Sequence, residues 1–484
     1  MPVLEHLQPS SVLHFFEDLC AIPHGSGNTK AISDYCVRFA EARGLAVQQD
    51  SLNNVIIIKE ASEGYEDVPA VILQGHLDMV CEKTADCDLD MASEGLRLTT
   101  DGQWIWAEGT TLGGDDGIAV AMALAVLDDD SLPHPRLEAV FTVDEEVGME
   151  GAVGIDVSSL QGRRMLNVDS EVEGILTVSC AGGVRASCHV PVERESAGGV
   201  CCALAISGLT GGHSGVEIHK GRANANVLMG RLLYGLSQEM ALRIVHMRGG
   251  QADNAIAPAC EAVVLVPEEE QQRARALTES YARVFQAEFQ MADPGLSVEF
   301  LVQKQVPQTA LTLSATARVI SALMLLPNGV QTMSQDIPGL VQTSLNLGVL
   351  RLEEHEAVAT FAVRSSVSTE KAMICRRMDC LASLLGGVVT YAGDYPAWEY
   401  KRDSKLRELV ADVYEKQTGK KPVIEAIHAG LECGVFAGKL PGLDCVSLGP
   451  DMQEIHTPRE RLNVASAQRT WALICEVLRR CREL

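Results

Sequence analysis

Apolar residues recur at helical spacing from Ser10 to Cys20 and again over residues 28–43, with Ser or Asn placed as caps, so two helices open the chain. Short β-rich runs follow at residues 45–48, 54–59 and 70–74, then a wholly apolar helical run at 117–127 and strand patterns at 137–143 and 165–168. Strands alternating with helices predict an α/β layer, a mixed sheet covered by helices on both faces.

The pattern changes after Gly182 and Gly183. Strands are expected at 184–192, 201–209 and 262–266, helices at 224–236, 268–290 and 314–325, then strands at 343–350 and 357–363 and a closing helix at 369–385. Strand, helix, strand occurs twice there, which suggests an α+β lobe of two half-lobes. Residues 392–398 form a turn-rich boundary, and beyond them helices at 404–418 and 465–480 again alternate with short strands. The expected layout is a split catalytic domain, residues 1–184 and 399–484, with an inserted lobe at 185–398.

At 484 residues the chain is about three times a common domain length, which agrees with more than one domain. Against 40 Lys and Arg stand 65 Asp and Glu, a formal charge of −25 that repels phosphate backbones and anionic lipid, so neither nucleic acid nor a membrane is an expected partner. The 15 cysteines are odd in number, scattered through apolar segments and form no CxxC pair; they read as reduced core thiols in a cytoplasmic protein. No leader pattern opens the sequence, and the apolar run ending at Leu127 is far too short to span a bilayer.

Several strand ends and turns carry possible metal ligands. Gln74-Gly75-His76-Leu77-Asp78 puts an imidazole and a carboxylate on one strand face; Gly113-Gly114-Asp115-Asp116 starts the apolar helix with two acids. Val143-Asp144-Glu145-Glu146 and Val168-Asp169 end strands in acid, and Ile455-His456-Thr457-Pro458 offers a loop histidine. Singly each has a plainer explanation: helix capping, a solvated loop, a packed histidine. Jointly they fall where ligands collect at the carboxyl ends of parallel strands. Histidines and carboxylates without a thiolate suit zinc, manganese or cobalt and hydrolytic chemistry.

With GHLDMV, GTTLGGDDGIA, DEEVGM, NVDSE, GGHSG, HAGLECG and HTP, the sequence resembles the dinuclear zinc metallopeptidases that include glutamate carboxypeptidase and the carnosine-splitting dipeptidases, and in wording the Xaa-His dipeptidase branch. The resemblance implies a zinc-peptidase-like catalytic domain and a lid that also dimerises. It implies two divalent ions, Zn2+ foremost with Co2+ or Mn2+ as alternatives. His76 would hold one and His456 the other, Glu146 and Asp169 would complete the two separate shells, and Asp115 would bridge both about 3.5–4 Å apart around a shared hydroxide. Glu145 would be the general base, Asp78 would orient His76, and the Asp115–Asp116 peptide would be cis.

In the lid, the resemblance assigns His213 to the oxyanion, Asn254 to the substrate carbonyl or carboxylate and Arg364 to the free carboxylate. It leaves His219, His428 and Glu432 without a role. Many relatives have Lys where this chain has Gly117. The expected activity is hydrolysis of Xaa-His dipeptides by a homodimer; a tripeptide aminopeptidase or N-acyl amino acid deacylase is the alternative within the chemistry, and a non-catalytic metal-binding protein the alternative outside it.

Overall fold

The computed structural model describes residues 2–304 and 309–484. The chain divides into two compact units, one made of Met1–Cys180, Tyr400–Ala426 and Leu431–Leu484, the other of Ala181–Glu399 and Ile427–Gly430.

An eight-stranded sheet organises the first unit, in spatial order Ala46–Gln49, Val55–Lys59, Leu137–Thr142, Val71–His76, Arg164–Asn167, Asp444–Ser447, Ile175–Cys180 and Val423–Ile427. The strands from Leu137–Thr142 to Asp444–Ser447 are mutually parallel; Ala46–Gln49, Val55–Lys59 and Leu137–Thr142 pair antiparallel on one side, and Ile175–Cys180 runs antiparallel to Asp444–Ser447 on the other. Val71–His76 and Leu137–Thr142 are buried along their whole lengths, as parallel strands covered on both faces must be. The helix Gly114–Asp128 is apolar all round and buried from Asp116 to Leu127. Its regular turns begin only after Asp115 and Asp116, whose backbone angles are non-helical.

A small four-stranded sheet of Leu98–Thr100, Trp104–Ala107, Met452–Gln453 and Arg461–Asn463 was not expected, because strands of two to four residues carry no readable alternation.

The second unit carries an antiparallel sheet in the order Ser297–Val302, Val200–Ser207, Cys260–Val266, Arg243–Gly249, Val341–Leu352, Glu356–Ser365, Gly182–Pro191 and Val388–Tyr395, with Gly329–Met333 paired beside Val341–Leu352. Arg243–Gly249 meets Val341–Leu352 through only two residue pairs, Arg248 with Arg351 and Gly249 with Leu350, so the sheet falls into a four-stranded and a five-stranded half. The helices Ala225–Glu239, Gln271–Glu288, Leu313–Leu325 and Ser368–Leu384 pack on it around one continuous core.

Residues 392–398, expected as a turn, are entered by the strand Val388–Tyr395, and an irregular register between Ala392 and Tyr395 accommodates Gly393 and Asp394. The cysteines are free thiols, most of them buried. No helix of the described residues is long and apolar enough to cross a membrane.

Candidate active site

His76 closes the strand Val71–His76, and its Nδ1 lies 2.9 Å from the main-chain oxygen of Asp78. A carbonyl only accepts, so Nδ1 carries the hydrogen and Nε2 turns its lone pair toward Asp115 Oδ1 at 3.2 Å and Asp169 Oδ1 at 3.9 Å. Lone pairs would then oppose one another unless a cation lies between them, either a proton or a metal. Burial resists a proton on His76, but hydrogen bonds to Asp115 and Asp78 prevail and raise its pKa well above the usual imidazole value.

The Asp78 carboxylate is 3.5 Å from His76 Nδ1 and accepts hydrogen bonds from Ser26 Oγ (2.8 Å) and the main-chain nitrogens of Glu145 (3.0 Å) and Glu146 (3.4 Å).

Asp115 lies between two histidines, its Oδ2 being 3.2 Å from His456 Nε2. Burial works against its charge, yet the hydrogen bonds from His456 and His76 outweigh burial and hold the carboxyl well below its usual range. The peptide joining Asp115 to Asp116 is cis. A Cβ at position 75 would come 2.6 Å from Asp116 Oδ2, so glycine before His76 is what allows the acid pair to approach this strand. Gly113, with φ of 67°, turns the chain into that pair.

Glu146 Oε1 is 2.9 Å from His456 Nε2 but is not aligned as a hydrogen bond, and this buried oxygen has no other partner among the described residues. His456 itself sits in the left-handed region, φ 59°, and its pKa is raised to about 10 by the hydrogen bond to Asp115 and the close Glu146 carboxylate. Glu145 is pushed up to about 7, by burial first and then by the charges of Glu432, Glu146 and Asp115 against the pull of His76. Asp169 is raised by burial and by Asp115, and Asp116 by burial and by Asp169.

Three groups have ligand atoms within 4.8 Å of one another: His76, Asp116 and Asp169; His76, Glu145 and Glu146; Asp115, Glu146 and His456. Opposed lone pairs, an orphaned buried oxygen and a donor set of imidazoles and carboxylates all fit divalent cations.

The remaining expected site residues belong to the second unit. His213 Nδ1 accepts from the main-chain nitrogens of Gly215 and Val216, both at 3.2 Å, so Nε2 carries the hydrogen. Burial and then Arg364 lower its pKa, leaving a neutral donor at physiological pH. Arg364 donates from Nη1 to Tyr395 Oη at 2.9 Å, while its Nε is buried without a partner among the described residues. Asn254 is exposed, and its main-chain oxygen accepts from Ser214. His428 Nε2 is 2.7 Å from Ser344 Oγ.

The family model of peptidases M20/M25/M40 matches residues 72–480. The cytosol non-specific dipeptidase of Escherichia coli (strain K12) is 36% identical over 481 residues, 99% of each chain. The chain belongs to peptidase family M20/M25/M40. Among solved structures it is similar to the aminoacylhistidine dipeptidase of Vibrio alginolyticus, with a TM-score of 0.93 and 37% identity over 98% of this chain and 97% of that one. A tripeptidase from Staphylococcus aureus shares the fold, with a TM-score of 0.55 at 16% identity over 99% of this chain and 100% of that one.

As an M20 peptidase the protein is a hydrolase acting on peptide bonds. Three acids of this M20 chain stand beside the expected site without having been assigned to it. Asp116 offers a ligand oxygen next to His76 and Asp169 and accepts from His76 N at 3.2 Å. Glu460, 2% exposed, accepts from the main-chain nitrogens of Leu112 (2.8 Å), Gly113 (3.1 Å), Gly114 (2.8 Å) and Asp115 (3.4 Å), tying the loop of Asp115 to the loop of His456. Glu432 is fully buried and raised to about 7, chiefly by burial. Adjacent acids in a glycine-rich turn were the only signal for Asp116; Glu460 had only its place four residues after His456.

Proposed function

We propose that this M20 peptidase is a metal-dependent dipeptidase that cleaves Xaa-His dipeptides, carnosine-like substrates included, working as a homodimer in the cytoplasm. The observation that carries the reading is the carboxylate of Asp115 between His76 and His456, one oxygen 3.2 Å from each imidazole Nε2. His76, Asp115 and Asp169 would hold one divalent ion and Asp115, Glu146 and His456 the other, with zinc the best match to the donor set. Bound there, two such ions activate a water as nucleophile and polarise the scissile carbonyl.

Glu145 takes the proton of the attacking water and returns it to the departing amine, a task for a carboxylate next to the ligand Glu146 whose backbone is fixed by Asp78. His213 donates from Nε2 to the oxyanion, a role that its tautomer supports. Arg364 pairs with the free carboxylate of the C-terminal residue, and Asn254 hydrogen-bonds beside it. Recognition of a free carboxylate limits the enzyme to short peptides. The histidine preference is supported by the name of the Vibrio alginolyticus relative, and a broader dipeptidase by that of the Escherichia coli relative.

A panel of Xaa-His, Xaa-Leu, tripeptide and N-acyl amino acid substrates tests the reading. We expect Xaa-His to give the highest kcat/KM. Equal turnover of all dipeptides would favour the broad enzyme, and preference for tripeptides or acyl amino acids would overturn the assignment. Glu145→Gln should lower kcat by about 10^2- to 10^4-fold while two ions per chain remain bound; undiminished activity would remove Glu145 as the base.

A further inference from the structure

Three of the loops that supply the proposed reaction begin where neighbouring parallel strands end. Val71–His76 ends at His76, Leu137–Thr142 runs into Glu145 and Glu146, and Arg164–Asn167 runs into Asp169. Beneath these ends lie four buried polar side chains in one hydrogen-bonded chain. Asn167 Nδ2 donates to Gln74 Oε1 at 2.6 Å, Gln74 Nε2 donates to Glu432 Oε2 at 2.5 Å, and Thr142 Oγ1 donates to the same Glu432 oxygen at 2.7 Å.

Each strand contributes one member, placed two or three residues before its site residue. Glu432 comes from elsewhere in the sequence, the first turn of the helix Glu432–Lys439. Exposure is 2% for Gln74, 0% for Thr142, 1% for Asn167 and 0% for Glu432, so water does not compete for these bonds. The second oxygen of Glu432, Oε1, is buried and has no hydrogen-bond partner among the described residues. Holding a carboxyl there at that cost requires a return beyond two hydrogen bonds.

We propose that Glu432 is a positioning residue, whose carboxylate clamps the three strand ends so that His76, Glu145 with Glu146, and Asp169 are delivered to one place. The inference rests on the metal-dependent reading of the site. It assigns a role to an acid that touches neither the reacting atoms nor the proposed ions. A glutamine at this position would still accept both donors with its amide oxygen, whereas a leucine would leave them only the long bonds of Gln74 Nε2 to Thr142 Oγ1 (3.3 Å) and Thr142 Oγ1 to Gly75 O (3.4 Å).

The test uses full-length wild type, Glu432→Gln, Glu432→Leu and Thr142→Val, each stripped with chelator and reloaded with Co2+. Cobalt content, affinity, the visible Co2+ spectrum, kcat and KM are measured. Glu432→Leu is expected to bind cobalt about 10- to 100-fold more weakly, to shift the spectrum and to lose kcat with KM little changed. Thr142→Val should move the spectrum in the same direction by less, and Glu432→Gln should recover the wild-type spectrum and most of kcat.

A folded Glu432→Leu protein with wild-type spectrum, affinity and kcat overturns the proposal, as does one that loses only thermal stability. If Glu432→Leu does not fold, a wild-type spectrum in Thr142→Val overturns it. Wild type that takes up no cobalt overturns the metallopeptidase reading and this inference with it, whereas loaded wild type with unaltered variants overturns the inference alone.

Discussion

Asp78 Oδ1 accepts a hydrogen bond from the main-chain nitrogen of Glu145 at 3.0 Å, fixing the loop that carries the proposed base. The other oxygen of Asp78 takes Ser26 Oγ and the nitrogen of Glu146, so one buried carboxylate holds two consecutive peptide groups. Asp78→Asn replaces one acceptor by a donor facing other donors. It should reduce kcat or metal affinity by about 10- to 100-fold, the usual effect of disturbing groups around a metal site. Steady-state kinetics with metal analysis checks this; unchanged values would mean that the loop holds itself.

Metal removal follows from the charge of the cluster. Asp115, Asp116, Glu145, Glu146 and Asp169 converge on two imidazoles, and without cations only protons balance them. Treatment with chelator should abolish activity and lower Tm, because an ion at 1,000 times its Kd stabilises the native state by about 4 kcal/mol. Zn2+, Co2+ or Mn2+ should restore both, and His456→Ala should lose one of the two ions. Calorimetry and metal content are the measurements, and a chelator-insensitive Tm and activity would contradict the prediction.

How much of this was legible in the sequence depended on whether the signal was local. The helix at 117–127 was readable because every position is apolar, and the strand ending at His76 because Val71-Ile72-Leu73 is followed by a change to polar residues. The acids of the site stood at strand ends and at the start of the apolar helix, so motif and pattern pointed to one place. Glu432 and Glu460 were not assigned, since their partners are strand side chains and loop nitrogens remote in sequence, and a single Glu has no period. The four-stranded sheet containing Trp104–Ala107 was missed because its strands are shorter than a pattern, and the strand Val388–Tyr395 because Gly393 and Asp394 imitate a turn.

Arg364, the proposed partner of the substrate carboxylate, has Nη1 held by Tyr395 Oη at 2.9 Å and Nε buried without a partner among the described residues. A charged hydrogen bond contributes about 1.5–3 kcal/mol, so Arg364→Ala should raise KM for a dipeptide about 10- to 100-fold. A dipeptide amide, which lacks the carboxylate, should be an equally poor substrate for both proteins. Equal losses on both substrates would indicate a structural role for Arg364.

His428 gives a pH prediction that does not involve the metal ligands. It is 5% exposed, and burial, then the charges of Arg364 and His213, push its pKa down to about 3. In the unfolded chain it returns to about 6.5. Between those values the unfolded state binds a proton that the folded state refuses, so this contribution is fully present above about pH 6.5 and is lost as the pH falls toward 3. Within that window the loss is about 1.4 kcal/mol per pH unit. His428→Gln keeps a polar group for Ser344 and removes the titration. Its stability deficit in urea unfolding should therefore be largest near neutrality and shrink on acidification, whereas parallel curves for variant and wild type would show that His428 takes up its proton in the folded state as well.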